Sequence, residues 1–62
     1  MKRYGVYVVE RDAEDLPVSW EAVGPVVTSL DEALQHALRV ANPHTEIAEM
    51  IEGFNVLTPK FA

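Results

Sequence analysis

Pro43-His44-Thr45-Glu46-Ile47-Ala48-Glu49-Met50-Ile51-Glu52-Gly53 is the stretch whose conformation decides the fold. With helical periodicity over residues 43 to 52, it gathers Ile47, Met50, Ile51 and the following Phe54 on one side. Glu46, Glu49 and Glu52 fall on the other side, and Gly53 is the terminator. Asn42 would then be the cap and Pro43 the first helical residue. As a strand, Ile47, Glu49 and Ile51 share one face and Ala48, Met50 and Glu52 the other, which separates apolar from polar less cleanly. The helical reading is preferred on that ground. A β-hairpin turning at Glu52-Gly53 is the alternative, and gives the order ββαββ.

Upstream lies an unambiguous helix. Ser29-Leu30-Asp31-Glu32 has the form of a capping box, in which the Ser29 hydroxyl accepts from the amide three residues on and Glu32 reaches back to the cap. Leu30, Ala33, Leu34, Ala37, Leu38 and Ala41 recur at helical spacing, with Asp31, Glu32, Gln35, His36 and Arg39 opposite. The Leu/Ala stripe is expected to pack on a sheet, its small alanines and Gly5 allowing close approach. Asn42-Pro43 ends the helix.

Further upstream, Arg3 to Arg11 is rich in Val and Tyr and reads as a strand. Alternation places Tyr4, Val6, Val8 and Glu10 on one face and Gly5, Tyr7, Val9 and Arg11 on the other, so both faces are apolar. One helical layer covers only one of them, and the other needs a further cover or a partner. Asp12 to Pro17 reads as a solvated turn and Val18 to Val23 as the return strand. Gly24-Pro25 breaks that strand, with Val26 to Thr28 resuming a short edge segment. Downstream, Phe54 to Thr58 reads as a last strand stopped by Pro59. The expectation is a single α+β domain over residues 1–62: an antiparallel sheet, helix on one face, in the order ββα(α/β)β.

A chain of 62 residues buries only about 60% of the surface its unfolded form exposes, so self-association or partner binding is a natural supplement to its core. It has no cysteine, hence no disulfide or thiolate metal site, and a lean toward the reducing cytoplasm. Its longest uncharged run, Ala22 to Leu30, is too short to span a membrane, and the basic start is not followed by a signal-peptide pattern. Ten acids against five Lys and Arg give a net charge of −5, which disfavours nucleic acid and suits a basic protein partner.

No motif for catalysis emerges. Ser19 and Ser29 lie outside any nucleophile elbow, and His36 and His44 lack metal-ligand spacing. Gly5, Gly24 and Gly53 stand singly, so no phosphate-cradling loop is formed. The pairs Glu14-Asp15 and Asp31-Glu32 have turn and cap explanations. The expectation is therefore a protein that is not an enzyme and uses no cofactor and no metal. Arg3, Tyr7 and Arg11, with Trp20, offer a possible base-stacking strand face for RNA. The acids invite comparison with a phosphate ladder, should they converge.

Ser29-Leu30-Asp31-Glu32-Ala33-Leu34, with the Tyr4 to Glu10 strand and the Trp20-containing strand before it, resembles the opening hairpin and T-L-E-E-A-L helix start of HicB-like antitoxin domains. The likeness covers residues 4–41, with the family's segment before the helix reduced to Gly24-Pro25. It implies a non-catalytic protein that binds and masks a small basic ribonuclease toxin. The expected function is an acidic interaction module, homodimeric and cytoplasmic, that binds or inhibits a basic partner. Its candidate partner-binding residues are Tyr7, Val9, Glu10, Asp12, Glu14, Asp15, Trp20 and Glu21. The alternatives are a nucleic-acid mimic of the kind phages use against host defence, and a small RNA-binding sheet.

Overall fold

The valine-rich segment Arg3–Arg11 forms β1, and its two apolar faces place it inside the sheet rather than at an edge. β2 (Pro17–Ala22) pairs with it antiparallel on one side and β3 (Thr45–Gly53) on the other, with β4 (Val56–Lys60) beyond β3. The helix α1 (Leu30–Val40) crosses from β2 to β3, and the sheet order is β2-β1-β3-β4. This computed structural model describes residues 2–61.

The stretch 43–52 is therefore not a helix. Asn42 and Pro43 make a turn: the Asn42 Oδ1 accepts from the His44 amide at 2.8 Å, and its carbonyl accepts from the Thr45 amide at 3.1 Å. Extended backbone then sends Ala48 and Met50 to one side and Ile47 to the other, both sides being buried against β1. As a strand the stretch supplies the backbone partner of β1 on that flank, pairing Arg3 to Val8 with Thr45 to Met50 beside the most apolar residues of β1. The hairpin turns two residues later than the sequence suggests, on Phe54-Asn55, both in the left-handed region (φ 51° and 63°). Pro59 is accommodated within β4 because β4 is an edge strand.

Two small cores result. On the helix side Val6, Val27 and Ala33 are buried, with Tyr4, Val23, Ala37 and Ile47 packed around them. Val27 forms a single bridge to Tyr4, with paired backbone hydrogen bonds of 2.7 and 2.8 Å, after the break at Gly24-Pro25. On the opposite side Tyr7, Val9, Ala48 and Met50 are buried beneath Leu57 and Phe61. Among the described residues nothing helical covers this second face; the sheet curls over it. Phe61, just past one edge strand, meets Tyr7 edge-on at 5.5 Å between ring centres and Trp20 of the other edge strand at 5.3 Å. In a flat sheet those two edges would stand about 14 Å apart, three strand spacings.

Two local expectations change. Ser29 does occupy the cap position with extended backbone, but its hydroxyl makes no capping bond, and only its carbonyl engages, accepting from the Ala33 amide at 3.2 Å. Gly5 faces the concave side, away from the helix: a β-carbon there would lie 2.7 Å from the Tyr7 ring and 3.2 Å from the Met50 sulfur. Its bare backbone makes room for Tyr7, whose hydroxyl reaches Met50 Sδ at 3.6 Å.

Candidate functional site

The β1–β2 hairpin carries most of the expected partner-binding residues, and its loop is built by one carboxylate. Asp12 Oδ1 accepts from the amides of Glu14 (2.9 Å) and Leu16 (3.0 Å), while the Asp12 amide donates to the Leu16 carbonyl at 3.0 Å. Asp15 closes the turn in the left-handed region (φ 64°). Arg11, next to an irregularity in the β1–β2 register, ties the loop to β3. Its Nε and Nη2 donate to the two carboxylate oxygens of Glu46 at 2.8 and 2.6 Å, and Nη1 donates to the Asp15 carbonyl at 2.7 Å. The hydrogen bonds from Arg11 hold the Glu46 carboxyl below its ordinary range, against the opposing effect of desolvation. Reciprocally, the Glu46 hydrogen bonds raise the Arg11 guanidinium.

The structure divides the eight expected residues. Tyr7 and Val9 are interior to the concave core and present no surface, because the sheet curls over them. Glu10, Asp12, Glu14 and Asp15 are exposed together at the hairpin end, with the Ser19 hydroxyl donating to Glu10 at 3.3 Å. Glu21 pairs with Val8 on the helix side of the sheet, further along β2. Trp20 pairs with Val9 on the concave side and is half exposed above Phe61. Beside them stand two residues that the sequence reading passed over, Leu16 and Val18, both more than half exposed. Their exposure follows from the sheet order: β2 is an edge strand, with no second layer to bury them.

The remaining acids do not extend this cluster into one ladder. Glu46 is engaged by Arg11, Glu49 lies 3.9 Å from Lys2 and faces Lys60 across β3–β4, and Glu52 sits by the opposite hairpin. Tyr7 is buried and Arg11 is held by Glu46, so the strand face suggested for base stacking is occupied. Among the described residues no group of three or more His, Asp or Glu side chains is disposed to hold a metal ion, and no helix is long and apolar enough to cross a membrane. No protein-family model matches this chain, and neither a curated protein nor a solved structure matches it significantly.

Proposed function

We propose that this chain is a non-enzymatic, cytoplasmic interaction module that binds and masks a basic partner protein, acting as a homodimer. The observation that carries the reading is the free outer edge of β2: Leu16, just before that edge strand, and Val18 and Trp20 within it stand exposed, with Glu10, Asp12, Glu14 and Asp15 exposed at the same hairpin end and Glu21 further along the strand. An aromatic anchor and two aliphatic neighbours supply desolvation energy, the outer backbone groups accept a further strand, and the acids steer and select a cationic partner. The resemblance to HicB-like antitoxin domains supports the same reading, with the basic partner a ribonuclease toxin.

Affinity capture with the intact chain, followed by titration calorimetry of each retained protein, tests it. The expected partner is basic, binds more weakly as salt rises, and loses at least about tenfold in affinity with Trp20→Ala. Partners that bind equally well to Trp20→Ala and to a Glu10→Gln/Glu14→Gln/Glu21→Gln variant would overturn the assignment.

A further inference from the structure

The two margins of the sheet are not equally open to a further strand. Beside β2 the Val23 amide donates to the Val6 carbonyl at 3.0 Å, and counting by twos along the register makes Val8–Glu21 and Glu10–Ser19 the pairs that exchange backbone hydrogen bonds. Trp20 and Ala22 therefore direct their N–H and C=O groups away from β1, and among the described residues no group is bonded to them. On the other side of β1 the Val9 amide donates to the His44 carbonyl at 3.0 Å, so the even-numbered residues of β3 bond to β1 and the odd-numbered ones to β4. The outward positions of β4 are then Leu57 and Pro59, and Pro59 has no N–H to offer. Proline thus interrupts the outer row of β4, whereas the row at Trp20 and Ala22 is intact.

The side chains along this open row sort by face. Glu10 and Ser19 pair on the helix side, with Glu21 two residues further along β2, and all three are exposed because α1 lies over β1 and β3. Among the described residues no Lys or Arg forms an ion pair with Glu10 or Glu21. Trp20 lies on the concave side, half exposed.

We infer that the outer edge of β2 binds an extended segment of the partner as an antiparallel fifth strand, its side chains alternately cationic, toward Glu10 and Glu21, and apolar, toward Trp20. The inference rests on the basic partner of the reading above and specifies the segment that partner presents. Antiparallel addition repeats every pairing already in the sheet. It puts the residue opposite Glu21 in a pair without mutual backbone hydrogen bonds, where side chains approach most closely, and the residue opposite Trp20 in a pair that exchanges both. A second copy is the poorer occupant. Continuing the sheet through two β2 edges keeps like faces on one side, and so sets two copies of Glu10 and Glu21 on one surface, between chains that each carry −5.

Hydrogen exchange followed by NMR on the whole chain, with the peptide (Lys-Val)4-Lys as probe, tests this. In the free chain the Ser19 and Glu21 amides should be protected and those of Trp20 and Ala22 open, and saturating peptide should slow exchange at Trp20 and Ala22 at least about tenfold. A peptide of the same composition with its lysines and valines in two blocks should bind at least about fivefold more weakly. N-methylation of the valines, whose amides face β2, should abolish the protection, whereas N-methylation of the lysines, whose amides face away, should leave it. Ala22→Pro, which places a proline at an outward position as in β4, should abolish it as well. Salt-sensitive binding without protection of Trp20 and Ala22, or protection that survives valine methylation, overturns strand addition and leaves the basic-partner reading standing. No binding of either peptide at millimolar concentration in low salt overturns both.

Discussion

The two faces of the sheet are closed by opposite means. On one, a separate helix lays small side chains, Ala33 and Ala37, onto Val6 and Ile47 and keeps its large ones outside. On the other, the sheet closes over itself, and the large rings of Tyr7, Phe61 and Trp20 bridge from edge to edge. The helix-covered face is therefore thinly packed and offers surplus apolar surface for assembly. The concave face is self-sufficient, and its rings and Gly5 fit one another closely.

That contrast can be broken most severely at Tyr7. Tyr7→Ala should cost about 3 kcal/mol or more in urea unfolding, since it empties the middle of the concave core. Leu34→Ala, on the other face, should cost no more than about 0.5 kcal/mol in the monomer. Equal losses would contradict the asymmetry. Gly5→Ala comes next, with about 1–3 kcal/mol expected because the new methyl meets the Tyr7 ring. If thermal unfolding shows no loss, the ring has room to move and the fit is looser than its distances imply.

The smallest effect is electrostatic. The folded pKa of Glu46 lies below its unfolded value, so the pair with Arg11 stabilises the fold fully above the ordinary carboxylate range, and this contribution fades as pH falls through the lowered value. Glu46→Gln should flatten that part of the acid limb in a pH series of unfolding midpoints. An unaltered limb would show that other carboxylates dominate it.

Local chemistry made much of this legible in the sequence. The β1–β2 hairpin, the position of the helix start and the two-sided character of β1 follow from alternation, turn residues and the Ser29 boundary. What escaped depends on partners distant in the chain. Glu49 and Glu52 made residues 43–52 look poorly segregated as a strand, yet Glu49 has a cationic neighbour in Lys2, from the other end of the sequence, and Glu52 is exposed beside the β3–β4 turn. The leucines of α1 looked like core because spacing reports a face and not its depth. Tyr7 and Val9 looked like surface because their cover, Phe61, arrives 54 residues after Tyr7 and from the far side of the sheet. In the hairpin, the acids and Trp20 were found from residue type alone, whereas Leu16 and Val18 required knowing that β2 is an edge.

Trp20 is the only tryptophan of the chain, and it sits where the two margins of the sheet meet, 5.3 Å from the Phe61 ring. Its emission is thus a built-in optical gauge of curvature. Flattening of the sheet strips Phe61 from the indole and hydrates it, shifting the fluorescence to the red, while events confined to the helix flank leave the signal still. One unlabelled molecule can therefore report a change at the margins of the sheet separately from a change on the helix flank.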